Sequence, residues 1–209
     1  GAIRRYLLSI DALPSKPLIA FVPMSLRTDN SVAGNQLSFV LANLGTHLDD
    51  PLSRIELIHR SMNNGKRRFR RMNQAQVINY SVVSYAWEGI NLATGLFPKK
   101  QAFNLIISNV PGSEKPLYWN GARLQSLYPA SIVFNGQAMN ITLASYLDKI
   151  EFGITACSKA LPHVQDMLIL IEEELQLLER TSKELEFQGI TVEDKSSHKG
   201  NGKTKKLAP

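Results

Sequence analysis

Ser108 and Asn109 stand where an apolar run stops. In FNLIISNVPG, Phe103, Leu105, Ile106 and Ile107 lead into these two polar residues, and Pro111-Gly112 follows. A buried strand with that ending brings small polar groups to a fixed point; the plain alternative is a strand-terminating turn, for which Asn, Pro and Gly are ordinary residues. No GxSxG elbow surrounds Ser108 or Ser25, so neither has the strand-turn-helix setting of an activated nucleophile. His47, His59, His163 and His198 are scattered, with no HxxxH or HxH pair and no neighbouring thiolate, so no metal site is expected. Cys157 is the single cysteine, and a lone Cys more often packs as a small hydrophobe. The GNGKT segment at 200–204 fails as a phosphate loop, since Ser197 stands where the first Gly is needed. The NIT at 140–142 fits a glycosylation acceptor but falls inside a predicted hairpin in a chain with no export signal.

The elements that must position these groups are legible in outline. GAIRRYLLSI reads as the interior of an amphipathic helix, with Ile3, Leu7 and Leu8 on one side. Leu18 to Arg27 reads as a buried strand, TDNSVAGN as a loop, and Gln36 to Leu44 as a second strand alternating Leu37, Phe39, Leu41 with Ser38, Val40, Ala42. Asp49 or Asp50 before Pro51 caps a helix running through Ile55, Ile58 and Met62 into KRRFRR. A further helix spans about Asn73 to Leu96, apolar on most sides and so buried or covered by a partner. After the Ser108 strand, Asn120-Gly121 signals a tight turn between strands. From Ile132 to Cys157 the pattern is β, with a hairpin turning at Asp148-Lys149 and returning through Ile150, Phe152 and Ile154. Pro162 opens a long helix with Val164, Leu168, Ile171, Leu175 and Leu178 as its stripe. The order of elements predicts an α/β two-layer sandwich with a mixed β-sheet over residues 1–187, and a disordered basic tail over 188–209.

Composition narrows the function classes. A chain of 209 residues that is 44% hydrophobic can bury a substantial core. No run reaches the roughly 18 apolar residues of a transmembrane helix, and one cysteine excludes an intrachain disulfide framework; a cytoplasmic setting, with any membrane contact peripheral, is the expectation. The net charge is +6, concentrated in Lys66, Arg67, Arg68, Arg70 and Arg71 and in the tail, so the rest of the chain is slightly acidic. Such a run can meet a phosphorylated cofactor, anionic lipid or nucleic acid, or can be a solvated helix end. Nucleic acid is the weakest reading, because no recognition motif accompanies the charge.

Five collinear segments, PLIAFVPMSLR, GNQLSFVLANLGT, NLIISNVPG, LYWNGARLQSLYP and GQAMNITLASYLDKIEFGI, together resemble the C-terminal half of the bacterial wax ester synthase/diacylglycerol acyltransferase family, over roughly residues 1–179. The resemblance implies a chloramphenicol-acetyltransferase-like fold, with a tunnel between two related domains. It implies transfer of a fatty acyl group from acyl-CoA, as substrate and with no cofactor, to a long-chain alcohol or diacylglycerol. It also implies that the general base, the second His of an HHxxxDG motif, belongs to an N-terminal half that acts as partner. Ser108 then matches the Ser or Thr that hydrogen-bonds the oxyanion, with Asn109 sharing that role or supporting the loop. Asn120, Gly121 and Ala122 would leave room for an alkyl chain or simply form the turn, and Gly34, Asn35 and Gln36 would face the tunnel or belong to the loop. Of Ser145 and Tyr146, on opposite faces of their strand, only one can face the tunnel, here taken as Ser145. Lys66 to Arg71 would meet CoA phosphates or lipid phosphates at a membrane or lipid-inclusion surface. The chain alone would be inactive. The alternative is a noncatalytic lipid-binding or assembly module of the same fold.

Overall fold

The structure, a computed structural model, describes residues 1–25, 37–73, 75–77, 79–80, 82, 86, 90, 94, 101–134 and 136–187. Three helices and seven strands have defined bounds: α1 (Ala2–Ser9), β1 (Ile19–Ser25), β2 (Leu37–Asn43), α2 (Pro51–Arg70), β3 (Leu105–Val110), β4 (Tyr118–Trp119), β5 (Ala122–Arg123), β6 (Met139–Tyr146), β7 (Lys149–Ala156) and α3 (Asp166–Phe187). The described residues between 75 and 94 are also helical. The main sheet has the order β2-β1-β3-β6-β7. Its centre is parallel, β1 with β3 and β3 with β6, and an antiparallel strand flanks each side. This is the predicted mixed α/β sandwich.

Register divides the sheet into two faces, because side chains alternate along each strand. Leu105 lies beside Met139 and Ile107 beside Ile141. With Ala20 and Ala42 these side chains form the main core against Tyr6 and Leu7 of α1 and Met167 of α3. On the same side Val40 packs against Phe69 of α2. All three helices therefore cover one face, and their apolar burial drives the two layers together. A buried ion pair ties the helices: Arg54 Nη2 donates to Glu174 Oε2 at 3.1 Å while Arg54 Nη1 donates to the Leu48 carbonyl at 2.8 Å. Arg5 reaches Glu173 at 2.5 Å.

Several sequence expectations move by small amounts. Asp50 caps α2, its carboxylate accepting from Ser53 N–H, as Pro51 at the first turn foretold. In α1 the buried pair is Tyr6 and Leu7, whereas Leu8 is exposed. In α2, Ile55 is exposed and its neighbour Arg54 takes the inward position. In α3, which begins at Asp166 after a turn rather than at Pro162, Met167 and Glu174 are buried and Leu168 and Leu175 are exposed. The reason is common to both long helices: once Arg54 and Glu174 neutralise one another, charged residues occupy inward positions that a hydrophobicity pattern assigns to neighbours. The β6–β7 turn falls at Leu147-Asp148, one residue earlier than predicted, with Lys149 already paired to Tyr146. Residues 132–134 and 136–138 are irregular rather than strand. The loop at 28–35 and the tail at 188–209 lie outside the described residues.

Candidate functional site

The second face of the sheet carries Ser108. Ser108 lies in register with Thr142, Ile106 with Asn140, and Val110 with Ala144, so these six residues share the side opposite the helices. Phe21 and Phe39 continue that face across β1 and β2 with their rings stacked, centroids 4.4 Å apart, and Phe103 packs on Phe21 at 4.7 Å. The other half of the face is crossed by residues 124–134. The Ile132 carbonyl accepts from Asn140 Nδ2 at 3.1 Å, and Pro129 lies so close over Gly153 that a Cβ there would stand 1.8 Å from its carbonyl oxygen. Asn140 Oδ1 in turn accepts the Thr142 hydroxyl at 3.2 Å. Asn140 and Thr142 are thus fixed and buried, which also removes the NIT segment as a surface acceptor.

Ser108 is half-buried beside Thr142, on the face that also carries the Phe21–Phe39 stack, and its hydroxyl makes no hydrogen bond to another described residue. A hydroxyl on a paired strand, with its donor unused among the described residues, is suited to an incoming oxygen on which charge develops. The strand continues through Val110, so Ser108 sits inside β3 rather than after its end. Its height is set by the following loop. Gly112 N–H donates to Ser145 Oγ at 3.1 Å, and Leu147 N–H donates to the Ser113 carbonyl at 2.9 Å. Gly112 has to be glycine, because a Cβ would stand 1.8 Å from the Ser145 carbonyl oxygen.

The remaining sequence candidates are distributed. Asn109 is exposed and points to the helix-side face, opposite Ser108, so the two do not converge on one point. Ser145 belongs to Asn109's side and holds the loop through Gly112. On Ser108's side Tyr146 is buried; its phenol accepts Leu117 N–H and donates to the Leu124 carbonyl, both at 3.0 Å, and so seats the base of the β4–β5 hairpin. Asn120 (φ 46°) and Gly121 (φ 81°) form the tight turn at that hairpin's tip, with Ala122 exposed beside them. A Cβ on Gly121 would meet no atom within 4 Å, so this chain builds no wall against it. Gly34, Asn35 and Gln36 lie outside the described residues. Sequence reasoning passed over Thr142 and Asn140 as site residues and chose Ser145 over Tyr146, whereas Tyr146 is the one on Ser108's face. The available signal was the alternation in MNITLASY, where two polar residues and a Tyr share the face opposite Met139 and Ile141.

The basic run ends α2. Lys66, Arg67, Arg68, Arg70 and Arg71 are all exposed, and none pairs with a carboxylate among the described residues. Arg67 donates to Asn64 Oδ1 and Arg68 to the Tyr80 hydroxyl, each at 2.5 Å, with the Arg68 guanidinium 5.6 Å from the Tyr80 ring centroid. Two open depressions of about 700 and 660 Å³ flank the helix end, the first lined by Arg67, Arg68 and Arg71, the second by Lys66, Arg67 and Arg70. Among the described residues no group of three or more His, Cys, Asp or Glu could hold a metal ion, and no helix is long and apolar enough to cross a membrane.

A mixed sheet with helices on one face, and on the other a strand serine whose hydroxyl has no hydrogen-bond partner among the described residues, makes this a two-layer α/β sandwich domain. Residues 33–179 match the family model described as the WS/DGAT C-terminal domain, and the chain belongs to that family. It is 59% identical over 179 residues to the O-acyltransferase WSD of Acinetobacter baylyi, covering 86% of this chain and 39% of that protein. It is 47% identical over 182 residues to a putative diacylglycerol O-acyltransferase of Mycobacterium tuberculosis, covering 86% of this chain and 41% of the relative. The solved wax ester synthase/diacylglycerol acyltransferase from Marinobacter aquaeolei VT8 superposes with a TM-score of 0.77 at 42% identity, over 87% of this chain and 41% of that one. The chain therefore spans about 40% of the length of the curated relatives it matches.

Proposed function

We infer that this domain forms one side of an acyl-transfer site that moves a fatty acyl group from acyl-CoA to a long-chain alcohol, giving a wax ester, or to diacylglycerol, giving triacylglycerol. The observation that carries the reading is the free Ser108 hydroxyl, half-buried on the sheet face opposite the helices, in a chain of this family. The acceptor hydroxyl attacks the thioester carbonyl as a base removes its proton, and negative charge builds on the carbonyl oxygen. Collapse of this tetrahedral intermediate breaks the C–S bond and releases coenzyme A, whose thiolate takes the proton from the base. A donor held in place before the reaction stabilises that charge more than it stabilises the substrate, which lowers the barrier. Ser108 is that donor, and Phe21 and Phe39, with Phe103 packed on Phe21, offer apolar surface on the same face. The chain has no HHxxxDG segment, so the base comes from the upstream half, and this domain alone transfers no acyl group.

The test pairs the chain with its upstream half and supplies palmitoyl-CoA with hexadecanol, and separately with dipalmitoylglycerol. Ser108→Ala is expected to lower kcat by roughly a hundredfold, as loss of one oxyanion donor does elsewhere, with circular dichroism and melting unchanged. Activity unaffected by the substitution would reduce SNVPG to a structural turn. No ester from either acceptor would leave a noncatalytic lipid-binding module.

A further inference from the structure

Two features outside the Ser108 site meet at one edge of the sheet. Strands β1, β3 and β6 are parallel, so their C-terminal ends share an edge. The β4–β5 hairpin rises there, its base seated on the phenol of Tyr146 at the end of β6. Helix α2 runs against β2 towards the same edge. Gly45 after β2 is near Arg54 and Leu57, Asn43 N–H donates to Ser61 Oγ, and Val40 meets Gly65 and Phe69. Since Leu37 pairs with Ser25 at the end of β1, the basic end of α2 arrives where β1 finishes. Three strand spacings separate β2 from β6, about 14 Å along the edge, with α2 on the helix side of the sheet and the hairpin base on the side of Tyr146.

The two features are chemically complementary. The hairpin exposes Trp119 at 82%, Tyr118 at 63% and Leu117 at 47%. Tyr128, just past its base, is exposed at 76%. Trp and Tyr have amphipathic rings that favour the boundary between lipid head groups and acyl chains. The helix end offers five exposed cations with no carboxylate partner among the described residues. Such a cluster repels itself in water and is relieved by anionic phosphates.

We propose that this edge docks on an anionic lipid surface, with Lys66, Arg67, Arg68, Arg70 and Arg71 on the head-group phosphates and Trp119 and Tyr118 at the boundary beneath them. A soluble phosphate carrier would use the cations but give no role to the exposed aromatic tip, which is why a surface accounts for both. The inference deepens the acyltransferase reading by naming the surface from which a water-insoluble acceptor reaches the Ser108 end of β3. Its test involves no turnover, so the two readings fail separately.

The experiment is flotation of the chain with vesicles of phosphatidylcholine alone or with 30 mol% phosphatidylglycerol. It is run for wild type, Arg67→Gln/Arg70→Gln/Arg71→Gln and Trp119→Ser. The lysines beyond residue 190 are unchanged in every variant, so differences read the edge itself. Wild type is expected to bind the anionic vesicles and to weaken as salt rises. The triple variant should lose roughly a hundredfold in partitioning, at several-fold per surface cation. Trp119→Ser should lose binding while keeping salt sensitivity, and in a Trp87→Phe background Trp119 emission should shift to the blue on anionic vesicles only. Circular dichroism checks that each variant is folded. Equal binding to neutral and anionic vesicles, or binding that neither variant weakens, would overturn the proposal. So would absence of vesicle binding with coenzyme A affinity, by titration calorimetry, abolished in the triple variant; that result assigns the helix end to a soluble phosphate.

Discussion

Gly112→Ala is the substitution in which structure gives both a stability and an activity effect. A Cβ at residue 112 would stand 1.8 Å from the Ser145 carbonyl oxygen and 3.0 Å from its carbon, whereas ordinary contact begins near 3.4 Å. Both atoms are backbone in β6, which is hydrogen-bonded on both sides, so no rotamer relieves the clash. The loop must withdraw by about 1.6 Å, which breaks the Gly112 N–H to Ser145 Oγ bond. Overpacking of this kind costs about 1–3 kcal/mol and the lost hydrogen bond about 1, giving about 2–4 kcal/mol in all. Because Ser108 lies four residues upstream on the strand this loop anchors, the donor shifts as well. A displacement near 1 Å can cost about a hundredfold in rate. Urea unfolding of the chain measures the first effect and the acyl-transfer assay with the upstream half the second. Ser145→Ala is the control, removing the hydrogen bond without the clash, and is expected to cost about 1 kcal/mol. A Gly112→Ala protein within about 0.5 kcal/mol of wild type, a difference ordinary for an unconstrained surface site, would refute the close-approach argument.

Two further outcomes are expected. Arg54→Met leaves buried Glu174 with Arg5 and the Gly1 ammonium, each no nearer than 3.9 Å, and should destabilise the chain by about 3–5 kcal/mol in urea unfolding, whereas adding Glu174→Leu should restore most of that loss; a double variant no better than the single one would show that the pair is not the cause. The backbone N–H groups of Ala160 and then Lys159 hold the Cys157 thiol below its usual pKa of 9.0 by favouring the thiolate. Its alkylation by iodoacetamide should therefore reach half-maximal rate at a pH below 9.0, and a midpoint at or above that value would contradict the geometry.

The Ser108 segment shows what can be seen along a chain and what cannot. FNLIISNVPG announces a buried strand carrying a serine to a turn, because apolar runs and Pro-Gly act locally. That Ser108 and Asn109 point to opposite faces follows from strand alternation alone, but which of the two faces the helices is a matter of register with β6, where Ser108 pairs with Thr142 and Asn109 with Leu143. The hairpin tip is equally local: Asn120-Gly121 needs positive φ at both positions and has it. That Tyr146, twenty-five residues on from Gly121, seats the hairpin's base is a long-range contact with no sequence period to reveal it. The same division explains the helices. Periodicity placed α2 and α3, and the Asp50 cap fixed where α2 starts, but the inward turn of Arg54 and Glu174 required each to find the other across 120 residues.

The sequence by itself determined the alternation of strands and helices, the caps and turns, the position of the basic run and, through five ordered segments, the family. These are encoded in neighbours, whose steric and hydrophobic preferences act over a few residues. Tertiary structure alone decided which face of the sheet is left to Ser108, that Gly112 and Ser145 set its height, and that the cations of α2 share an edge with Trp119. Each of those depends on strand register and on helix direction across the sheet, which are set by the packing of distant segments into one core.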